Sequence, residues 1–327
     1  IGKVVVYKQR ENIVLLSSIA ILTPGADIDS DHLGHFLRSP FFEQQIDIFK
    51  SGSALKRLVL KDIRNLKIIY PSMLDEQRKI AKILNKIDEA IQKTEQLITK
   101  LKAMKQGLLR DLLTRGIDES GKLRDPIAHP EQFKDSPLGK IPNEWEICRA
   151  YDVLDNLDNK RVPVSEDERN NRKGDVPYYG ANGQQGWIDD YLFDEPLILL
   201  AEDGGDFDNF ATKPVAYRIA GKSWVNNHAH VLRPKSLDDF SFLFFSLEHK
   251  DIRIFIKGGT RSKLNKTELN QILLKWPSSQ EERKIIGQTV ETIDCQKELE
   301  LIYYNKLSAI KKGLMNDLLT GKVRVKI

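Results

Sequence analysis

Lys105-Gln106-Gly107-Leu108-Leu109-Arg110-Asp111-Leu112-Leu113-Thr114 and Lys311-Lys312-Gly313-Leu314-Met315-Asn316-Asp317-Leu318-Leu319-Thr320 agree at seven of ten positions, 206 residues apart in one chain. The same shift holds outward. It sets Gly52 on Gly258, Leu58 on Leu264, Ile63 on Leu269, Leu66 on Ile272 and Pro71 on Pro277. Past the prolines the register slips by one, so that Glu76-Gln77-Arg78-Lys79-Ile80 faces Glu281-Glu282-Arg283-Lys284-Ile285. It recovers where Ile87-Asp88 lies over Ile293-Asp294. A match over about 65 residues with one slip is a duplication, and a repeat of that size governs the fold before local propensity does.

Each copy reads as a strand-like segment, a proline stop and a long helix. From Asp75 to Thr114 there is no Pro and one Gly, and Leu84, Ile87, Ile91, Ile98, Leu101, Leu108 and Leu112 fall at alternating three- and four-residue steps, with Thr94 and Lys105 on the two remaining steps. This is a heptad seam over about five heptads. The second copy runs from about Ser279 to Thr320 with Val290, Ile293, Tyr304, Leu307, Leu314 and Leu318 on the equivalent positions, interrupted at Lys297 and Glu300. Each helix is predicted to be about 60 Å long. A bare apolar stripe needs a partner, and two copies in one chain supply one internally. The fold class that follows is mixed α/β domains joined by two long helices in an antiparallel coiled coil, duplicated about a pseudo-two-fold axis.

Domain limits follow from composition. Residues 1–72 read as the C-terminal part of a first domain, 73–115 as the first helix, 143–277 as a second mixed α/β domain, 278–321 as the second helix and 322–327 as a tail. Residues 116–142 carry Gly116, Gly121, Pro126, Pro130, Pro137, Gly139 and Pro142, a density that fits a connector. Within the second domain Pro177–Trp187 reads as a glycine-punctuated loop, Leu197–Ala201, Val215–Ile219 and His228–Leu232 as strands, and Phe240–Phe255 as a helix. By comparison of lengths, about 65 residues of the first domain are expected to precede Ile1.

The 327 residues carry a net charge of +4, a bias that permits nucleic-acid binding without requiring it. Cys148 and Cys295 match no metal-ligand spacing and argue for an intracellular chain without disulfides. No stretch is long enough to cross a membrane as a helix. An enzymatic reading finds little to stand on. Ala216–Ser223 satisfies only the loosest phosphate-loop pattern, and Trp224-Val225-Asn226-Asn227 opens no helix behind it. Asp239, Glu248 and Lys250 echo a metal-dependent nuclease, which stays as an alternative beside a coiled-coil adaptor that binds protein only. Asp203, Asp206 and Asp208 fit a polar turn better than a calcium loop. His228 and His230 lack an acidic or Cys partner at a recognisable spacing and suit hydrogen bonding better than a metal. No catalytic and no metal-ligating residue is assigned.

Binding features are richer. The loop Lys257–Lys266, with Arg261 and Lys263, suits phosphate oxygens, as does its first-half counterpart with Lys56 and Arg57. Lys222 is a further candidate cation. Tyr178, Tyr179, Asn182, Gln184 and Gln185, with Asn226, Asn227, His228 and His230, supply rings and amides able to read base edges.

The repeated Arg-Lys-Ile helix ending in Gly-Leu-x-x-Asp-Leu-Leu-Thr, Pro142-Asn143-Glu144-Trp145-Glu146, Tyr179-Gly180-Ala181-Asn182-Gly183 and Trp224-Val225-Asn226-Asn227-His228-Ala229-His230 together resemble the specificity subunit of type I restriction-modification systems. The resemblance implies two target-recognition domains, each reading one half of a split, asymmetric duplex DNA site, and a coiled coil that spaces them. It implies two methyltransferase subunits and separate restriction and translocation subunits as partners, in the cytoplasm. S-adenosylmethionine would belong to the methyltransferase partner, with no cofactor on this chain.

Overall fold

The structure is a computed structural model that describes residues 3–8, 14, 16, 19–49, 58–258 and 262–326. Lys56, Arg57 and Arg261 lie outside the described residues. The chain divides into two compact units, residues 1–100 with 297–327, and residues 101–296.

The regular secondary structure among the described residues of the first unit is all helical. Helices α1 (Ser30–Leu37), α2 (Pro40–Phe49) and α3 (Leu60–Asn65) precede the long helix α4 (Leu74–Arg115), of which residues 74–100 belong here. Asp29 caps α1, its Oδ1 accepting from the amides of Asp31 and His32 at 3.0 Å, which satisfies two donors of the first turn. Gln77 in the first turn of α4 joins the preceding chain: its amide donates to the carbonyls of Asp27 and Pro71 and accepts from the Asp29 amide. The core gathers Leu33, Phe36, Leu37, Phe42 and Ile46 with Ile80 and Leu84 of α4, and with Met315, Leu318 and Leu319 of the last helix. The strand-like segment before Pro71 forms no ladder among the described residues; the Gln45 amide clasps the Lys67 backbone instead.

The second unit holds the sheets. A strand pair β1 (Phe133–Lys134) and β2 (Ile141–Pro142) lies within the connecting segment 116–142. Next come β3 (Trp145–Arg149), helix α5 (Ala150–Val153), β4 (Leu154–Asn156), helix α6 (Glu166–Asn171), β5 (Val176–Gly180), β6 (Gly183–Ile188), β7 (Phe193–Asp194) and β8 (Leu197–Ala201). After these come β9 (Ala216–Ile219), β10 (Lys222–Val225), β11 (Ala229–Pro234), α7 (Phe240–Glu248), α8 (Lys266–Asn270), β12 (Leu273–Pro277) and the long helix α9 (Gln280–Leu319). One four-stranded sheet has the order β4-β11-β8-β9, all antiparallel. The other has the order β6-β5-β10-β7, with β5 and β10 parallel. β12 pairs with β3.

Strand β8 is buried at all five positions, and β11 at five of six, so both faces of the first sheet are covered and each strand reads as an apolar run. The α7 core residues, the ends of α4 (Leu109, Leu112) and the beginning of α9 (Ile286, Val290) join one cluster with Trp145 and Leu274.

Two expectations are corrected here. Pro177–Trp187 is an antiparallel β5–β6 hairpin, signalled by the alternation of buried Val176, Tyr178 and Gly180 with half-buried Pro177 and Tyr179. The expected helix to Phe255 stops at Glu248, and a separate 3-10 turn follows at Arg253–Phe255. Of the positions on the heptad seam, Leu84, Ile98, Leu101, Leu112, Val290, Leu307 and Leu318 are buried, and Ile87, Ile91, Leu108, Ile293, Tyr304 and Leu314 are half-buried. No described helix is long and apolar enough to cross a membrane.

Candidate nucleic-acid interface

Three connections of the second unit meet at one edge: the β5–β6 turn, the chain leaving β8, and the turn from β10 into β11. Parallel pairing of β10 with β5 carries the chain from Val225 alongside Tyr179, where the Asn226 amide donates to the Tyr179 carbonyl at 3.0 Å. Asn226 is buried and builds the turn. Its Oδ1 accepts from the His228 amide at 2.9 Å, and its Nδ2 donates to Gln185 Oε1 at 3.2 Å. The Glu202 amide donates to the His228 carbonyl at 2.9 Å, and Asn182 Nδ2 donates to the Gly204 carbonyl at 2.9 Å, tying the hairpin tip to the post-β8 loop. Lys263 joins through a bridge to Asp203, and the Leu264 amide donates to the Glu202 carbonyl.

Charge at this edge is balanced rather than strongly positive. Glu202 is buried and receives Arg161 Nη1 at 2.6 Å and Lys263 Nζ at 3.0 Å. Lys257 pairs with Glu268. The loop expected to offer a run of free cations therefore has two of them engaged with carboxylates. Beneath the edge, Asp158, Glu202 and His230 bring one ligand-type atom each within 4.8 Å of one another. His230 Nδ1 meets Asp158 Oδ2 at 2.6 Å, and Nε2 meets the Leu264 carbonyl at 2.7 Å, so both ring nitrogens are used. Burial, the largest single influence, works to raise the Asp158 carboxyl, but the hydrogen bond and charge of His230 together with hydrogen bonds from the Val231 amide and Asn156 hold it below the usual carboxylate range. With Arg161 and Lys263 already neutralising this cluster, the donor set suits an internal ion network. A divalent cation would have to displace both.

The candidate reading residues separate by exposure. Asn182, Gln184 and Asn227 are exposed. Tyr179 is half-buried with its ring 6.1 Å from that of Tyr217, and His228 keeps 40% of its side chain open while its Nδ1 pairs with Asp203. Tyr178 is corrected: it is 1% exposed, packs among Val176, Ile188 and Trp224, and donates its hydroxyl to the Val164 carbonyl. His230 and Asn226 are corrected for the same reason, being buried members of the supporting layer. Lys222 starts β10, at the other end of that strand from Asn226, and lies over the Tyr191 ring. Arg161, Glu202, Asp203 and Asp158 were not legible as partners, because 25 to 73 residues separate them from the groups they meet.

The nuclease pattern does not assemble. Asp239 and Glu248 stand at opposite ends of α7, about 13 Å apart along its axis. Arg283 holds the first at 2.7 Å and Lys105 the second at 2.8 Å. The phosphate-loop-like Ala216–Ser223 is two strands joined at Gly221, with no helix to receive phosphate. Asp206 pairs with Lys213 as part of a turn.

Comparison with known proteins gives a consistent pattern. The family described as type I restriction modification DNA specificity domain matches residues 1–103 and 142–309. The type I restriction enzyme MjaVIII specificity subunit of Methanocaldococcus jannaschii is 27% identical over 313 residues, covering 89% of this chain and 69% of that one. The putative type I restriction enzyme MjaX specificity subunit of the same organism is 29% identical, covering 100% of this chain and 76% of that one. Among solved structures, the S subunit of a type I restriction-modification system from M. genitalium superposes with a TM-score of 0.66 at 18% identity, over 90% of this chain and 73% of that one.

Proposed function

The chain belongs to the type I restriction modification DNA specificity family, and from that membership we propose that it reads a bipartite, asymmetric duplex site and holds the catalytic subunits on it. It is a DNA-specificity subunit of a type I restriction-modification system, which sets aside the protein-only adaptor and the nuclease. The observation that carries the reading is the form of the match: two blocks, 1–103 and 142–309, each running into one of the two long helices.

In this reading residues 1–72 and 143–277 are recognition segments, 116–142 connects them, and α4 and α9 form an antiparallel coiled coil that spaces the half-sites. Packing within each unit supports that pairing. Ile80 and Leu84, near the start of α4, share a core with Met315 and Leu318, near the end of α9. Leu109 and Leu112, near the end of α4, share one with Ile286 and Val290, near the start of α9. Helices of 42 and 40 residues are about 60 Å long, under two turns of duplex at about 34 Å each. Asn182, Gln184, Asn227 and His228 are the base readers, with Tyr179 beside them. His228 is the best placed, since Asp203 fixes its ring through Nδ1 and leaves Nε2 to meet a base edge. Lys263, Lys222, Arg261, Lys56 and Arg57 serve phosphate. The partners are two methyltransferase subunits, which carry S-adenosylmethionine, and the restriction subunits, all in the cytoplasm.

Selection from a randomised duplex pool, with this chain assembled with its methyltransferase subunit, tests the reading. Two short motifs at one fixed separation are expected. Uniform retention by a verified complex would refute it.

A further inference from the structure

Lys105 and Asp294 form an ion pair at 2.7 Å, each with 8% of its side chain exposed. In the other unit, Lys311 and Asp88 form one at 2.6 Å. Lys105 and Lys311 are 206 residues apart, as are Asp88 and Asp294, so each lysine pairs with the aspartate of the opposite long helix. A second set repeats the crossing. Glu282, in the first turn of α9, accepts from Arg124 Nη1 at 2.6 Å, from the Ile117 amide at 2.9 Å and from Trp145 Nε1 at 3.1 Å. Glu76, in the first turn of α4, accepts from Arg324 Nε and Nη2 at 2.7 and 2.6 Å. Arg124 and Arg324 each end a Gly-Lys-aliphatic-Arg run, Gly121–Arg124 and Gly321–Arg324, placed after the end of a long helix. The structure thus makes Glu76 the counterpart of Glu282 without the one-residue slip.

We propose that these two sets of crossed ion pairs are the register key of α4 against α9. They admit one axial alignment of the helices and, if the function proposed above holds, one gap between half-sites.

The apolar seam does not select an alignment by itself. Ile91 and Ile98, and Leu101 and Leu108, recur at heptad steps, so a slide of one heptad, about 10 Å, puts one apolar residue of α4 where another stood, and the α9 seam, broken at Lys297 and Glu300, discriminates little between the two. The charges discriminate. A slid Lys105 leaves the buried Glu248, which it meets at 2.8 Å, without that cation and takes one of its cations from Asp294, and a slid α4 withdraws Glu76 from Arg324. A polar group placed within an apolar seam fixes register at some cost in stability. Here the cost is limited because every such charge has a partner. Asp294 also receives Arg218 at 3.3 Å, and Lys105 lies over the Phe245 ring.

Glu76→Leu, Arg324→Leu, Asp88→Leu and Lys311→Leu together remove both sets from the first unit; Glu76 is buried, but Arg324 is 68% exposed, the Lys311–Asp88 pair is partly open and both members of each pair are replaced, so no charge is left buried alone and the full chain should fold. Spin labels at Lys86→Cys and Lys312→Cys, both exposed positions, with Cys148→Ser and Cys295→Ser, report alignment by double electron-electron resonance. One distance is expected with the charges present, and a second population displaced by about 10 Å without them. Asp88→Leu with Lys311→Leu alone is expected to populate the second distance less. Because Lys105 with Asp294 and Glu282 with Arg124 still hold the second unit in the fourfold variant, a single unchanged distance overturns the register key when it persists after Lys105→Met, Glu248→Gln, Asp294→Asn, Glu282→Gln and Arg124→Met are added. The fourfold variant, assembled with the methyltransferase subunit and given the randomised pool, should keep both half-site sequences and gain a second gap differing by about 3 base pairs. Two distances with one gap would sever alignment from gap length. A wild-type complex that enriches no paired motif would refute the DNA reading instead, and the resonance distances decide the register key regardless.

Discussion

Replacing Glu282 by alanine should lower the urea midpoint of the second unit by about 1–1.5 M. The carboxylate is 7% exposed and is shared by the Arg124 guanidinium, itself 9% exposed, the Ile117 amide and the Trp145 indole, which is fully buried. Removing one partner of a buried ion pair costs about 3–5 kcal/mol, because the remaining charge loses both water and its counterion. The orphaned amide and indole lie within that figure rather than on top of it, since water can fill the space the carboxylate leaves. With a denaturant slope near the top of the usual range of about 1–3 kcal/mol/M, a loss of about 4 kcal/mol moves the midpoint by about 1.3 M. Trp145, Trp187, Trp224 and Trp276 all lie in residues 101–296, so intrinsic fluorescence follows this unit alone. Glu76→Ala, in the other unit, should leave the fluorescence transition where it is. A Glu282→Ala midpoint within about 0.3 M of wild type at unchanged slope would refute the reasoning.

His32 and His35 are buried in the first unit, and desolvation, the largest cause, holds both below the ordinary histidine value of 6.5. The unfolded chain therefore takes up protons first as pH falls. The stability these residues confer is complete above about pH 6.5 and declines below it, by at most about 1.4 kcal/mol per pH unit for each histidine. Amide exchange in α1, corrected for intrinsic rate, should speed up between pH 7.5 and 5.5, and equal protection at both would contradict the assignment. Burial pushes the Cys148 thiol up to about 11, whereas Cys295 is exposed, so one equivalent of maleimide at neutral pH should modify Cys295 with Cys148 left free on peptide mapping. Gly116 has φ +60°, and a Cβ there would lie 2.3 Å from Glu282 Oε1 and 2.5 Å from the Trp145 ring. Gly116→Ala should therefore destabilise the second unit by more than the roughly 1 kcal/mol of an unhindered left-handed alanine, read as a urea midpoint. Asn227→Ala or His228→Ala should broaden the bases enriched from a random pool more than it weakens binding; unchanged preference in both would take them off the reading surface.

The long helices were legible because a proline-free run with apolar residues at three- and four-residue steps states a helix with one apolar side, on which Leu84, Leu101, Leu112 and Val290 are buried. The crossed Glu–Arg pairs were not. Six more residues separate Thr114 from Gly121 than Thr320 from Gly321, so the Gly-Lys-aliphatic-Arg repeat falls out of the 206-residue shift. At the candidate interface residue type singled out the turns, but which of their side chains are exposed depends on strand layering that residue type does not state. Alternation along β11 does not mark a wet face when the strand is buried on both sides, so His230 became core while His228, before the strand, stayed partly open. Tyr178 and Tyr179 differ by one step of a hairpin that glycine content alone had suggested was a loop.

The tail after α9 has a practical bearing on reagent design. Arg324 and the Val325 amide are docked on Glu76, and Lys79 donates to the Lys326 carbonyl. A segment inserted directly after Lys326 would therefore emerge beside the first turns of α4. Affinity handles or fluorescent reporters placed there need a spacer, and a protease site set too close to Arg324 would be shielded from its enzyme.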